Sequence, residues 1–289
     1  MDALKQYDTA KNEVGELKLS TKPKEKVVIW VEGNDWKLYG RFFNSDLVDH
    51  QGRTGGHSCH SAVDCYEEFK RQYPARLAIV ISDADFKRAN GFPTEDHPDI
   101  FYADCHDHEM MCIYQDKVKD ALLGNLMIED QKDVFFSKIF DEILLLSYFQ
   151  WYNYNHHSGY NFARLATLVN YDDSFFKNPS KIEDEVHKRT TTSRNKKGIT
   201  EPLPHINLKD YDDFVKAHTD ADIYEITNGH DFYNRINYYL QKVDNKKRSE
   251  DTLKETIYAA FTFVFKNTTL YSRLNDWCNS NNTHILKAV

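Results

Sequence analysis

The sequence predicts an α/β protein, a mostly parallel sheet with helices on both faces plus a helical insertion, and three observations predict it. Two runs, Val27 to Val31 and Leu77 to Ile81, are apolar without interruption and rich in β-branched residues, the pattern of strands buried on both faces. The segments between them, Asp35 to Phe43 and about Ser61 to Gln72, carry apolar residues at helical spacing. From about Lys117 to Asn170 the chain turns to long apolar helical runs, such as Val134 to Trp151, without a strand signal.

Taken in order, residues 1–25 are polar and lysine-rich and read as a leader into the first strand. Trp36, Leu38, Tyr39, Phe42 and Phe43 place a helix after that strand. A short segment at Leu47 and Val48, a glycine-containing loop from Gly52 to Gly56 and a second helix lead into the strand ending at Ile81. Ile100 to Tyr102 adds a further strand, so that residues 26–116 read as one βαβα core with right-handed crossovers. Residues 117–204 form the helical insertion, closed by Pro202 and Pro204. In the return segment, 205–289, Ile223 to Ile226 reads as a strand, with helices expected from Phe232 to Leu240 and from Thr252 to Trp277.

Bulk properties narrow the classes. With 289 residues the chain can bury a substantial core, in one large domain or two modest ones. No apolar run approaches the roughly 18 to 20 residues that span a bilayer, and the first residues lack a signal peptide's apolar stretch, so a cytoplasmic protein is expected. Five cysteines, an odd number and few for the length, argue for reduced thiols. A formal charge of -8 argues against a general nucleic-acid coat, which needs a broad basic surface, but not against a nuclease whose acidic cluster meets phosphate through cations.

The informative residues stand where the buried strands end. In an open parallel sheet, ligands bind beyond the carboxyl ends of the strands. Glu32 directly follows the first run, and Asp83 and Asp85 follow the run that ends at Ile81. If those strands are neighbours, three carboxylates meet, and their mutual repulsion is relieved by one or two cations. Oxygen-only donors favour Mg²⁺ or Mn²⁺ over zinc. The alternate spacing of Asp83 and Asp85 sets both on one side of an extended chain. Gly33 permits a tight turn, and a helix starting near Asp35 would turn its amide end toward a phosphate. Either motif alone is common by chance; their shared placement at strand ends carries the reading.

In this order, a hydrophobic strand, Glu32-Gly33-x-Asp35, a helix, then a second hydrophobic strand and Asp83-x-Asp85, the chain resembles the TOPRIM domain of topoisomerases, primases and OLD-family nucleases, over roughly residues 26 to 115. The stretch around Asp107-His-Glu109 and the later Gly229-His230-Asp231 resemble, more narrowly, a TOPRIM-like family of bacterial phage-defence proteins that includes the AriB effector of PARIS. The resemblance implies a Rossmann-like TOPRIM sheet and Mg²⁺- or Mn²⁺-dependent phosphodiester hydrolysis of tRNA or DNA. It also implies an ABC-type ATPase sensor as partner, a role as toxic effector in anti-phage defence, and a homodimer as the active form. The family pattern follows its acidic residue with asparagine and an aromatic residue, whereas Glu109 is followed by Met110, Met111 and Cys112. Glu109 is therefore either a further metal ligand or a carboxylate favoured near a helix start.

Other candidates have ordinary readings beside functional ones. Lys87 offsets transition-state charge or is simply exposed. His230 acts as an acid or base, or merely neighbours a helix cap at Asp231. Lys188, Arg189, Arg194, Lys196 and Lys197 lie between Val186 and Thr200 without a carboxylate, forming a phosphate-facing loop or a solvated connector. Cys105, His106, His108 and Cys112 match no standard zinc spacing. The segment from Phe135 to Trp151 is a partner or dimer surface, or a buried helix. The Gly52 to Gly56 loop lacks the ending of a Walker A motif, so ATP hydrolysis is expected of a partner, not of this chain. The expected activity is a metal-dependent endonuclease, with Glu32 as ligand or as general base or acid. Two rivals are a catalytically silent module docked on the ATPase and a nucleotidyl or strand transferase.

Overall fold

The structure, a computed structural model, describes residue 14 and residues 26–52, 62–128, 130–162, 165, 173–196, 198–199, 202–217, 222–244 and 249–287. Lys197, Cys59 and most of the Gly52 to Gly56 loop lie outside the described residues. The chain divides into two compact units: residues 1–84, 93–104 and 258–289 form one, residues 85–92 and 105–257 the other.

The first unit holds a four-stranded, wholly parallel sheet of order β2-β1-β3-β4. Its strands are β1 (Val27–Val31), β2 (Val48–Gly52), β3 (Ala78–Ser82) and β4 (Ile100–Tyr102). Every residue of β1 and β3 is buried, so the unbroken apolar runs occupy the centre of the sheet. Helix α2 (Ala62–Gln72) lays Cys65, Tyr66 and Phe69 on Val28, Trp30 and Val80, with the Trp30 and Phe69 rings edge to face at 6.3 Å. Of the predicted helix from Asp35 to Phe43, only one turn is helical, α1 (Trp36–Tyr39). Gly40 ends it at a place where a Cβ would stand 2.8 Å from Trp36 Nε1, and Phe42 stacks on Phe265 instead of extending the helix. The spacing correctly marked a buried face, since Leu38, Tyr39, Phe42 and Phe43 are all buried, but hydrogen-bonded turns present it too.

The C-terminal residues complete this unit. The predicted helix from Thr252 to Trp277 is broken into α11 (Glu250–Phe261), a short 3₁₀ turn and α12 (Thr269–Ser280). The break is written in side chains: Thr268 Oγ1 accepts from Tyr271 N at 3.0 Å, and Asp104 accepts from Thr269 N and Leu270 N at 2.7 and 2.9 Å, satisfying the free amides of a new helix start. Trp277 Nε1 donates to Asp99 Oδ1 at 2.8 Å and Arg273 lies over the Phe101 ring, fixing α12 against β4.

The second unit is helical among its described residues: α3 (His108–Ile113), α4 (Asp116–Leu126), α5 (Lys132–His156), α6 (Asp173–Phe176), α7 (Pro179–Asn195), α8 (Tyr211–Ala217), α9 (Ile223–Ile226), α10 (Gly229–Asp244) and the first part of α11. The 25-residue α5 is its spine. Phe136 and Phe140 pack on Phe232 of α10, while Leu146, Tyr148 and Phe149 join Ile182, Val186 and Phe214 in one apolar cluster. The apolar residues from Phe135 onward are thus spent on the unit's own core.

Ile223 to Ile226 forms α9, a helical turn, rather than the expected strand. Four residues with two isoleucines have strand-like propensity, but tertiary context outweighs it. Here Tyr224 and Ile226 are both buried, Tyr224 packs edge to face on Phe140, and the Tyr224 carbonyl accepts from His106 N at 2.9 Å. The basic stretch is likewise mostly helix rather than loop, since α7 runs on to Asn195. No helix among the described residues is long and apolar enough to cross a membrane.

Candidate functional site

β1 and β3 are hydrogen-bonded neighbours in parallel register, Val31 opposite Ile81, so the residues that follow them emerge at the same edge of the sheet. Ser82 Oγ donates a hydrogen bond to Glu32 Oε1, tying the ends of the two strands together and orienting that carboxylate. Gly33, at φ +46°, turns the chain in a left-handed conformation that costs glycine little, and Asp35 N then donates to the Glu32 carbonyl at 3.0 Å. This tight turn brings the carboxylates of Asp35 and Asp83 within 4.8 Å of each other. Two like charges at that distance repel by about 1 kcal/mol at the dielectric of water and about 3.5 kcal/mol at an effective dielectric of about 20. A divalent cation would convert that repulsion into attraction.

Asp35 thus plays a different part from the one its position suggested. It makes no side-chain cap bond, and a single helical turn offers little dipole, so the phosphate-binding helix end expected there is absent. Its carboxylate belongs with Asp83. Among the described residues Glu32 falls in no group of three ligand atoms within 4.8 Å, its oxygen being engaged by Ser82.

Asp85 lies in the second unit. It adopts φ +48°, so the chain leaves the extended form at that residue and the alternation argument for Asp83 and Asp85 does not hold. Its amide donates to His106 O at 2.7 Å, its side chain is exposed, and Lys87 Nζ lies 4.0 Å from Oδ2. Lys87 therefore has a carboxylate beside it.

Glu109 is buried on α3, one residue beyond the first turn's start. The cap itself is Asp107, whose Oδ1 accepts from Met110 N at 2.8 Å and whose Oδ2 accepts from Gly229 N at 2.7 Å. Glu109 Oε1 is 2.8 Å from Lys254 Nζ, and Oε2 is 3.2 Å from His108 Nδ1. Burial pushes its carboxyl up, but the charges of His108, Lys254 and His230 outweigh burial and hold it below the usual range. Lys254 also pairs with Glu250 at 2.9 Å, and Glu250 with His230 Nδ1 at 2.7 Å. The hydrogen bond from His230 holds Glu250 down to about 2, and in return raises the His230 imidazole. Both sequence candidates, Glu109 and His230, are thus members of one ion-paired chain, and Glu109 falls in no metal-holding group among the described residues. Cys105, His106 and Cys112 fall in none either; both cysteines are buried free thiols, and burial raises the Cys112 thiol well above its ordinary range.

Comparison with protein-family models, curated proteins and solved structures finds no match.

The basic residues of α7 are less free than their sequence spacing implies. Arg189 Nε lies 2.8 Å from Glu185 Oε1 and Lys188 Nζ lies 3.7 Å from Glu185 Oε2, the carboxylate just before the basic run. Arg194 lines a small cavity and Lys196 caps the helix. Two participants, Ser82 and Lys254, escape sequence reasoning, and a third, Asp35, is named by it in a different role. Ser82 stood in plain view between Ile81 and Asp83. Asp35 was taken for a helix start, and Lys254 has only its place four residues after Glu250 to mark it.

Proposed function

We propose that this chain is a divalent-metal-dependent nuclease that hydrolyses phosphodiester bonds at the acidic edge carrying Glu32, Asp35 and Asp83, with Asp85 two residues further along the chain. The observation that carries the reading is the parallel pairing of β1 with β3, which brings Glu32 and Asp83 out at one sheet edge, with Asp35 turned back toward Asp83. The donor set suits the ion: all are carboxylate oxygens, which favour Mg²⁺ or Mn²⁺. Asp35 and Asp83 would hold it, with Glu32 at the same edge as a further ligand or as general base or acid, and when bound it would supply positive charge against a phosphate oxygen and acidify a water. Ser82 holds Glu32 in orientation, and the Gly33 turn sets Asp35 in place. Glu109 and His230 belong to the ion-paired chain with Lys254 and Glu250 rather than serving as ligand and acid. The sequence resemblance to TOPRIM nucleases of phage defence supports tRNA or DNA as substrate and an ABC-type ATPase as the activating partner.

The test incubates purified protein with mixed tRNA, single-stranded RNA and plasmid DNA in Mg²⁺ or Mn²⁺, with and without a candidate ABC-type ATPase partner. Cleavage of one nucleic-acid class is expected, lost in Glu32→Ala and Asp83→Ala and reduced about 10- to 100-fold in metal affinity by Ser82→Ala. Equal inertness of wild type and variants in every condition contradicts the reading and leaves a silent docking module in its place.

A further inference from the structure

A second cluster of ligand-type side chains lies in the helical unit and owes nothing to the acidic edge. Helix α7 starts at Pro179 behind an Asn178 cap whose side chain accepts from Lys181 N. Four residues apart on that helix, Glu183 and His187 share one face. His205 comes from the segment from Pro202 to Leu208, which is neither helix nor strand. Glu183 Oε1 is the hub: Ile206 N donates to it at 3.0 Å, His205 Nδ1 lies 3.0 Å away and His187 Nε2 3.8 Å away. One ligand atom from each of the three residues falls within 4.8 Å of the other two.

We propose that Glu183, His187 and His205 form a transition-metal site that takes Zn²⁺. With zinc bonds of about 2.0 to 2.2 Å in a tetrahedron, donor atoms stand roughly 3.3 to 3.5 Å apart. The two separations from Glu183 Oε1, 3.0 and 3.8 Å, bracket that spacing and the third lies within 4.8 Å, so the site closes on a metal by rotating the side chains together. Two imidazole nitrogens and one carboxylate oxygen are a zinc donor set; magnesium, which prefers oxygen alone, is disfavoured. The surroundings hold the ligands in orientation. The Ile206 amide fixes the carboxylate, and the Tyr160 hydroxyl, 3.0 Å from the same His187 Nε2 that faces Glu183, holds the metal-free imidazole in place and gives that nitrogen up when the ion binds. Tyr160 is itself held by a bond from its amide to Asn153 Oδ1, and burial raises its hydroxyl to about 12, so it meets the site as a neutral phenol. Beside His187 a cavity of about 180 Å³, lined also by Thr191, Arg194 and Leu203, leaves room for water as the fourth ligand.

The test measures Zn²⁺ binding to the metal-stripped full chain at neutral pH, by competition with a chromophoric chelator, and the visible spectrum after Co²⁺ substitution. Wild type is expected to bind one ion per chain at this site and to give the intense absorption of tetrahedral cobalt. Glu32→Gln/Asp83→Asn keeps both signals, which separates this site from the acidic edge. His205 is 88 % exposed on its side chain, so His205→Ala should leave the fold intact while weakening binding by at least about tenfold. His187→Ala/His205→Ala loses the tetrahedral spectrum. Absence of binding in wild type, or the same stoichiometry and spectrum in the double variant, overturns the proposal.

Discussion

Asp231 shows what one buried carboxyl does to this molecule. It lies on the first turn of α10 with Gln150 Nε2 donating to its Oδ2 at 2.6 Å, and burial raises its carboxyl from 3.8 to about 6 despite that bond and the nearby His230. The folded state therefore holds this proton more tightly than the unfolded state. Its contribution is fully present below the unfolded value and is lost as pH rises through the folded one, so stability falls between about pH 4 and 6. The loss is on the order of 2–3 kcal/mol. Asp231→Asn keeps an acceptor for Gln150 and removes the titration. Urea unfolding from pH 4 to 7 should find the variant equal to wild type at the acid end and more stable at neutrality. Parallel curves would show that the carboxyl is not perturbed. The raised His230 changes in the same sense at higher pH and is common to both proteins.

At the scale of elements, the start of α10 is pressed against α3. A Cβ built on Gly229 would stand 2.4 Å from Glu109 Cβ and 2.9 Å from Asp107 Oδ1, with backbone geometry holding both sides. Glycine is required here for close approach, not for an unusual φ. Gly229→Ala should cost about 1–3 kcal/mol through overpacking and disturb the Glu109 to Lys254 pair, read as a lowered denaturation midpoint with unchanged slope. A change under about 0.5 kcal/mol would mean that the helices separate without penalty. Elements were legible where burial is two-sided or a periodic face is long. β1 and β3 announced themselves as unbroken apolar runs, and α5 as an extended helical one. Illegible were the elements set by distant partners: Asp104 starting α12 from more than 160 residues away, and Tyr224 folded into α9 by its contacts with α5. No local pattern encodes either.

For the molecule as a whole, the net charge of -8 means that any attraction of nucleic acid would have to be local and cation-mediated. The sequence placed Glu32 and Asp83 at the ends of two buried strands, because β1 and β3 were readable and parallel sheets gather function at that edge, and the pairing of those strands makes the two ends neighbours. It did not place the role of Asp35, which depends on a turn, or that of Glu109, which depends on Lys254 arriving from α11. In the proposed reading the acidic edge holds a divalent ion while Glu109 belongs to an internal ion-pair chain. Mn²⁺ titration followed by electron paramagnetic resonance tests it, in the His187→Ala/His205→Ala background so that only the acidic edge is read. Asp83→Asn is expected to weaken Mn²⁺ binding by at least about tenfold and Glu109→Gln to leave it within about twofold. Loss of binding in Glu109→Gln with retention in Asp83→Asn would contradict it.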